Sequence, residues 1–321
     1  MEYRSLGNTG IQVSVVALGC WPIAGMTSPG VNDADSLATI KACLDLGVTH
    51  LDTAYCYGRD GESERLITRA LGRHRDEMVI ATKGGIHWNR EGKQQRDASA
   101  AALRRECEES LRRLQTDRVE LLYLHAPDDK VPIAESAGAL KRLLDEGKTR
   151  AVGVSNVDLA QLEGFAAECP IAAYQPPYNM LQRQIETTTL PWCQRHDVAV
   201  LVYWPLLKGL LAGKLARDHV FGPDDNRRKY AMYQGEEYQK NLDLVDKLRA
   251  IALEAGHTVA ELVINWTIQQ SGITGALCGA KRPQQIRENA AGAGWMLTPD
   301  QRARVDRALA ERGTPAADLP V

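Results

Sequence analysis

Residues 120–125 read ELLYLH, and this stretch shows how the chain is built. Its apolar side chains are consecutive and do not alternate with polar ones, which is typical of a strand in a parallel sheet covered on both faces. Eight such strands are predicted, at Val15–Gly19, Thr49–Asp52, Met78–Lys83, Glu120–His125, Ala151–Ser155, Ala172–Gln175, Ala199–Trp204 and Gly275–Gly279. The pattern therefore predicts an α/β protein with a parallel sheet.

The segments between these strands carry apolar residues at helical spacing. The apolar stripes are Leu37, Ile40 and Leu44, then Leu103, Cys107, Leu111 and Leu114, then Leu140, Leu143 and Leu144, with Gly147 ending the third helix. Strands separated by such helices form βαβ units. The alternation extends over most of the chain, so we expect a helix after nearly every strand.

Eight strands with intervening helices favour a closed (β/α)8 TIM barrel over an open doubly wound sheet. The open alternative lacks its usual signature, because no Gly-x-Gly-x-x-Gly follows any predicted strand. We also expect an N-terminal β-hairpin in residues 3–14 and extra helices near 236–255 and 258–270, between strands seven and eight. We see no linker and no repeat, so residues 1–321 are predicted to form a single domain.

Composition excludes several classes of function. The 321 residues carry 39 basic and 41 acidic side chains, a net charge of −2 that gives no reason to expect nucleic-acid or membrane partners. No apolar run approaches the roughly 20 residues of a membrane helix. The seven cysteines are dispersed without a CxxC pair, so no metal site is predicted and a reducing, cytoplasmic location is expected.

Four polar residues fall at or just after predicted strand ends, where a barrel places its chemistry. They are Asp52, Tyr57, Lys83 and His125. A lysine ammonium beside a phenol is expected to lower the phenol pKa, and a carboxylate keeps that lysine charged. The phenol can then protonate an oxygen that a neutral histidine orients. This combination predicts reduction of a carbonyl group, with hydride supplied by a cofactor.

The sequence resembles the aldo-keto reductase superfamily over nearly its whole length. The motifs that carry the resemblance are LDTAYCYG (51–58) with Glu62 and Glu64, ATK (81–83), LYLH (122–125), GVSN (153–156), YQPPYN (174–179), PL (205–206) through GLLAGK (209–214), and GAK (279–281) through Glu288 and Asn289. The resemblance implies a barrel that binds NADP(H), with NAD(H) as a second possibility. By this resemblance Tyr57 is the proton donor, Lys83 and Asp52 adjust the pKa of its phenol, and His125 orients the oxygen that receives the proton.

The resemblance also implies a set of cofactor-binding residues. Ser155, Asn156 and Gln175 match the family's contacts to the carboxamide, and Tyr203 matches the aromatic residue that stacks on the nicotinamide. The residues expected around the pyrophosphate are Pro205, Leu206, Lys208, Gly209 and Lys214, with Arg227 or Arg228 closing over the cofactor. Trp204 stands where many relatives have serine, and it is expected to shape the nicotinamide pocket.

The last predicted strand leads into a helix that begins at Pro283. The free backbone N–H groups in the first turn of such a helix favour an anion. Lys281 and Arg282 are expected to bind a 2′-phosphate there, whereas Gly279 departs from many relatives, which carry a lysine. Gln285, Glu288 and Asn289 share one helix face suited to adenine and ribose. Trp21, also expected near the cofactor, is predicted to line the substrate site with Tyr55 and Trp88.

The leading interpretation is an NADP-dependent reductase of aldehydes or ketones acting on a small carbonyl compound or sugar. Two alternatives involve the same fold. One is an aldose dehydrogenase of the same superfamily that uses NAD or NADP. The other is a cofactor-binding sensor or scaffold that resembles the β subunits of voltage-gated potassium channels. A Schiff-base aldolase acting through Lys83 is a weaker fourth interpretation, because it leaves the residues after strands five to eight without a role.

Overall fold

The structure is a computed structural model that describes residues 1–25, 30–223 and 225–316. It begins with an antiparallel hairpin of β1 (Tyr3–Ser5) and β2 (Gln12–Ser14), as predicted. Leu6, Ile11 and Val13 of this hairpin are buried against residues that line the interior of the main sheet. The hairpin therefore covers one end of that sheet.

Eight parallel strands close into a barrel, which confirms the predicted (β/α)8 fold. The strands after β2 are β3 (Val16–Gly19), β4 (His50–Asp52), β5 (Val79–Gly84), β6 (Ile86–Trp88), β7 (Gln94–Arg96), β8 (Leu121–Leu124), β9 (Val152–Ser155), β10 (Ala173–Gln175), β11 (Ala199–Tyr203) and β12 (Gly275–Gly279). All of these except β6 and β7 belong to the barrel, and β12 pairs with β3 to close it. Each barrel strand lies within one residue of its predicted bounds.

Helices surround the barrel. They are α1 (Asp33–Leu46), α2 (Glu62–Leu71), α3 (Ala100–Leu114), α4 (Ile133–Asp145), α5 (Leu159–Glu168), α6 (Thr189–Arg195), α7 (Gly235–Glu254), α8 (Val259–Ile268), α9 (Pro283–Ala290) and α10 (Pro299–Arg312). Sequence signals explain where several of them begin, because Asn32 and Ser99 accept hydrogen bonds from the first turns of α1 and α3. The extra helices predicted between the last two barrel strands are α7 and α8. No helix in the described ranges is long and apolar enough to cross a membrane.

The second hairpin, β6 and β7, follows β5 directly and is not predicted by the sequence pattern. Its residues lack a regular alternation of apolar and polar side chains. The hairpin carries Trp88, whose indole N–H donates to the carbonyl oxygen of Cys56 over 2.9 Å. The hairpin is thus tied to the loop that follows β4.

Small residues inside the barrel leave room for large ones from neighbouring strands. Gly153 of β9 is paired in register with Tyr123 of β8. A Cβ atom at Gly153 would lie 2.4 Å from Cε1 of Tyr123 and 2.9 Å from the carbonyl oxygen of Ala173. The Tyr123 ring, which is fully buried, therefore occupies the space that this glycine leaves.

Candidate active site

A buried lysine organises the polar groups at the carboxyl ends of β4 and β5. Nζ of Lys83 lies 2.6 Å from Oδ1 of Asp52, 2.8 Å from the carbonyl oxygen of Thr53 and 3.3 Å from the hydroxyl of Tyr57. Only 1% of Lys83 and 3% of Asp52 is exposed. An ammonium group has three hydrogens, and here each has an acceptor. The ion pair and its hydrogen bonds fix the position of the Lys83 ammonium beside the phenol.

The loop after β4 places Tyr57 at the mouth of the barrel. Gly58 follows with a φ of +93°, and a Cβ there would lie 1.9 Å from Oε2 of Glu62, so the turn requires glycine. The Tyr57 ring meets Trp21 edge-on at a centroid distance of 5.0 Å, and its centroid lies 5.9 Å from that of His125. Tyr57 is half-buried as a residue.

The pKa shift predicted for the Tyr57 phenol is opposite in direction to the net shift in this structure. Burial, followed by the nearby Asp52 carboxylate, raises the pKa of Tyr57 well above its ordinary value. Burial disfavours the charged phenolate, and a neighbouring anion disfavours it further. The sequence predicted that Lys83 and Tyr57 would meet. It did not predict that burial and the nearby Asp52 carboxylate would act on the pKa of the phenol. The phenol therefore keeps its proton at neutral pH.

The imidazole of His125 completes the group. Burial and the charge of Lys83 lower the pKa of His125 well below its ordinary value, so the ring is neutral at physiological pH. The backbone of His125 is fixed on both sides, because its N–H donates to Gly84 over 2.9 Å and its carbonyl accepts from Asn156 Nδ2 over 2.9 Å. Its Nδ1 lies 3.6 Å from Sγ of Cys56.

A second buried network supports the loop that carries Tyr57. Glu64 of α2 accepts hydrogen bonds from Thr82 over 2.7 Å and from Arg113 over 3.3 Å. Arg113 also donates to the carbonyl oxygen of Tyr55 over 3.0 Å. The sequence identified Glu64 only as part of a motif, and neither Arg113 nor Cys56 was predicted to contribute. The signal that would have found Arg113 is a charged residue on the inner face of α3.

The three aromatic residues expected to line the substrate site do not share one role. Trp21 packs on Tyr57, and Trp88 is fixed to the same loop by its hydrogen bond to Cys56. Tyr55 does not belong with them, since its hydroxyl donates to Glu109 over 2.9 Å and its ring packs under the Arg113 guanidinium. Tyr55 is held against α3 by Glu109 and Arg113, so these contacts do not support its predicted place in the substrate site.

The residues expected at the carboxamide form hydrogen bonds at the carboxyl ends of the barrel strands, which we call the rim. Ser155 donates to the carbonyl oxygen of Gln175 over 2.8 Å, and Asn156 Oδ1 accepts from the Tyr203 hydroxyl over 2.8 Å. Gln175 Nε2 donates to Oδ2 of Asp52 over 2.7 Å. All four side chains thus lie at the strand ends, close to the lysine site. Their contact with a carboxamide stays a prediction.

The segment after β11 forms a tight left-handed turn. Trp204, Leu207, Lys208 and Gly209 all have positive φ, and the turn begins with Pro205 and Leu206. The Lys208 ammonium lies over the rings of Trp204, at 4.0 Å, and Tyr230, at 4.7 Å. Burial and Lys229 lower the pKa of Lys208 to about 8. A Cβ at Gly209 would meet Arg227 at 3.9 Å and nothing nearer, so the backbone there is open to a ligand.

Two ion pairs hold the long loop around this turn. Lys214 pairs with Glu288 of α9, and Arg227 pairs with Asp225 at 2.6 Å. Lys214, predicted at the pyrophosphate, therefore contacts Glu288, predicted at the adenosine. Arg228 is exposed and lies in the same short helical turn as Arg227. Of the predicted loop 221–226, Asp224 lies outside the described residues.

The start of α9 has the expected helical geometry, with Pro283 in its first turn. The Lys281 backbone N–H donates to Oε1 of Gln285 over 2.9 Å, and Asn289 Nδ2 donates to the carbonyl oxygen of Gly279 over 3.3 Å. Arg282 is engaged with Asp35 of α1 at 3.6 Å, on an exposed surface. The roles predicted for Lys281 and for the N-terminus of α9 stay predictions, and Arg282 forms an ion pair with α1.

These groups fit an anionic dinucleotide. Lys208 and Arg227 supply positive charge beside an open backbone position at Gly209, and Lys281 precedes the first turn of α9, whose N–H groups can bind an anion. The Tyr203 hydroxyl donates to Asn156 at the carboxyl ends of the strands. The donors are of the kind that bind phosphate, and the aromatic ring is of the kind that packs on a planar heterocycle.

Comparisons with known sequences point to one family. A family model described as Aldo/keto reductase family matches residues 15–310. Aldo-keto reductase YhdN of Bacillus subtilis (strain 168) is 37% identical over 312 residues, 96% of this chain and 94% of that protein. The NADH-specific methylglyoxal reductase of Escherichia coli (strain K12) is 33% identical over 328 residues, 97% of this chain and 99% of that protein.

Solved structures give the same result. The glycerol dehydrogenase from Gluconobacter oxydans superposes with a TM-score of 0.89 at 38% identity, covering 97% of this chain and 96% of that one. An aldo-keto reductase from Bacillus halodurans in its holo form gives a TM-score of 0.79 at 27% identity, covering 96% of each chain.

Fold, rim and relatives together define the class of protein as an oxidoreductase built on a parallel β/α barrel. More particularly, the chain belongs to the aldo-keto reductase family. Members of this family use nicotinamide cofactors.

Proposed function

We propose that this protein reduces aldehydes or ketones to alcohols with NADPH, and that Tyr57 is the general acid. The observation that carries the proposal is the 3.3 Å hydrogen bond between the Tyr57 hydroxyl and the buried Lys83 ammonium at the barrel mouth. A phenol that retains its proton at neutral pH suits the acid of a reduction. A nicotinamide cofactor bound at this rim supplies the hydride.

The four residues have separable roles in this proposal. Tyr57 transfers its proton to the carbonyl oxygen as negative charge develops there, and solvent restores that proton after turnover. Lys83, held by Asp52, stabilises the phenolate that is left. His125 is neutral and donates a hydrogen bond to the same oxygen, which fixes the orientation of the carbonyl. Asp52 itself touches no substrate and acts through Lys83.

We propose NADP(H) as the preferred cofactor and NAD(H) as a second possibility. Lys281 beside the N-terminus of α9 supports the preference, because a 2′-phosphate would gain charge and N–H donors there. The ion pair of Arg282 with Asp35 weakens the support for NADP(H) over NAD(H). The relative from Escherichia coli is named as NADH-specific, which makes the comparison of both cofactors essential.

Oxidation of a sugar or polyol, by an aldose dehydrogenase or a similar enzyme, is the second candidate function. It is favoured by one observation, the similarity to a structure named as a glycerol dehydrogenase. The same Tyr57 would then accept the proton of the alcohol. Small carbonyl compounds or sugars are the proposed substrates in either direction, with Trp21 and Trp88 as apolar walls.

A Schiff-base aldolase is not supported by the geometry of Lys83. Its three hydrogens have acceptors, and its charge is paired with Asp52 at 2.6 Å. The sensor or scaffold alternative has no observation of its own in the described residues that favours it over catalysis.

We further propose a cytoplasmic location. All seven cysteines are free and buried in the structure, which suits a compartment that keeps thiols reduced.

The experiment that tests the proposal is a steady-state assay with both reduced and both oxidised cofactors. The panel contains small aldehydes, ketones, aldoses and glycerol, and absorbance of the reduced nicotinamide is followed. We expect the highest kcat/KM for an aldehyde or ketone with NADPH. A higher value for an aldose or glycerol with an oxidised cofactor would favour the dehydrogenase instead. No turnover of any compound, despite tight cofactor binding, would favour a sensor.

A further inference from the structure

The proposed role of His125 requires a particular tautomer. A neutral imidazole has one protonated and one unprotonated nitrogen, and only the protonated one can donate to a substrate oxygen. The tautomer is set by what the other nitrogen meets. The structure shows a group positioned to set it.

That group is the thiol of Cys56, the residue immediately before Tyr57. Its Sγ lies 3.6 Å from Nδ1 of His125, within reach of a hydrogen bond to sulfur. Only 1% of Cys56 is exposed, so water does not compete for the thiol. The pair is held from both sides, because Trp88 donates to the Cys56 carbonyl and Asn156 donates to the His125 carbonyl.

The direction of this hydrogen bond follows from the chemistry of the two atoms. Burial raises the pKa of Cys56 to about 12, so the thiol keeps its hydrogen at neutral pH and can donate it. Sulfur is a weak acceptor, whereas the unprotonated nitrogen of an imidazole is a good one. The favoured arrangement is therefore S–H donating to Nδ1, which leaves the ring proton on Nε2.

We propose that Cys56 is a positioning residue whose thiol donates to Nδ1 of His125 and thereby keeps the N–H on Nε2, where it is available to the carbonyl oxygen of a substrate. The inference rests on the proposed function for its catalytic consequence. The tautomer itself can be measured without turnover, so the two can fail separately.

The test uses the full chain labelled with ¹⁵N at histidine. NMR spectra that correlate ring nitrogens with ring protons report the tautomer, and a His125→Asn variant identifies the His125 signals among the seven histidines. We expect wild-type Nδ1 to be unprotonated and Nε2 to carry the proton. Cys56→Ser, which keeps a donor, should preserve this pattern. Cys56→Ala should give a mixture of tautomers. A wild-type ring protonated at Nδ1 would overturn the proposal.

Kinetics provide the second readout. Cys56→Ala should lower kcat/KM for carbonyl reduction about three- to tenfold, the usual effect of losing one neutral hydrogen bond. Cofactor affinity should stay within about twofold. Cys56→Ser should recover most of the rate, which a purely steric role would not predict. Cys107→Ala, a buried cysteine of α3, is the matched control and should behave as wild type. Equal rates in wild type and Cys56→Ala, with unchanged tautomers, would also overturn the proposal.

Discussion

Gln175 Nε2 donates a 2.7 Å hydrogen bond to Oδ2 of Asp52, which joins β10 to β4 across the barrel. The other carboxylate oxygen of Asp52 accepts from Lys83, so both oxygens are engaged below the phenol. Gln175 thus belongs to the lysine site as well as to the strand ends where a cofactor is expected.

We predict that Gln175→Leu lowers the rate of the chemical step as well as the affinity for cofactor. Removing a hydrogen bond to a buried charge costs about 1.5 to 3 kcal/mol, which corresponds to a ten- to hundredfold effect. Single-turnover kinetics with saturating cofactor measure the chemical step, and fluorescence titration measures affinity. If only affinity changes, Gln175 serves the cofactor alone. Gln95, exposed on β7, provides the matched control Gln95→Leu.

Replacing Tyr57 by phenylalanine should abolish reduction and leave cofactor binding near normal. The variant removes the proton donor while the ring can still pack on Trp21. General acid catalysis contributes roughly 10²- to 10⁴-fold, so kcat should fall by that amount. Steady-state rates and a cofactor titration check both parts. Turnover close to wild type would exclude Tyr57 as the acid.

The double variant Lys281→Ala, Arg282→Ala should weaken NADPH by at least about tenfold and leave NADH nearly unchanged. A charge-assisted hydrogen bond to a phosphate contributes about 1.5 to 3 kcal/mol, and NADH has no 2′-phosphate. Arg282 already forms an ion pair with Asp35, so the single variant Arg282→Ala should weaken NADPH less than the double variant does. Arg287→Ala, on the same helix, is the control. Equal weakening of both cofactors would place the pair at the pyrophosphate or in a structural role.

Residues 213–238 should exchange their amide hydrogens more slowly once NADPH is added. This segment is rich in glycine, proline and charge, and it is held to the rim by pairs such as Lys214 with Glu288. Hydrogen exchange followed by mass spectrometry, with α3 as the internal reference, measures the effect. Identical exchange with and without cofactor would show that the segment does not close over it.

His50 should make the protein less stable in mild acid. It is fully buried, neither ring nitrogen has a hydrogen-bond partner among the described residues, and burial lowers its pKa from 6.5 to about 4. Between these pH values the unfolded chain binds the proton and the folded chain does not, so lowering the pH favours unfolding. The loss attributable to His50 is up to about 3 kcal/mol.

His50→Leu isolates this contribution. Glu64 and Glu106 are buried acids with raised pKa values, and they act in the opposite direction over part of the same range. Urea unfolding at pH 7 and at pH 4.5 should therefore be compared between wild type and variant. We expect the free energy of unfolding to fall less in His50→Leu. The same fall in both proteins would show that His50 contributes nothing.

The sequence predicts the barrel well because its strands are consecutive apolar runs and their carboxyl ends carry polar residues. The meeting of Asp52 with Lys83 follows from that alone. The contact of Cys56 with His125 does not, since no pattern indicates which way a loop side chain points. The pKa direction of Tyr57 depends on enclosure and on the proximity of Asp52, which are three-dimensional quantities. The contact of the Tyr55 side chain with Glu109 and Arg113 depends on a helix more than fifty residues later.

The packing of Tyr123 against Gly153 limits how this lineage can diverge. Position 123 can drift toward smaller side chains and lose only some packing. Position 153 cannot follow it, because the carbonyl oxygen of Ala173 would still lie 2.9 Å from any new Cβ. We therefore expect related proteins to differ at position 123 and to keep glycine at position 153.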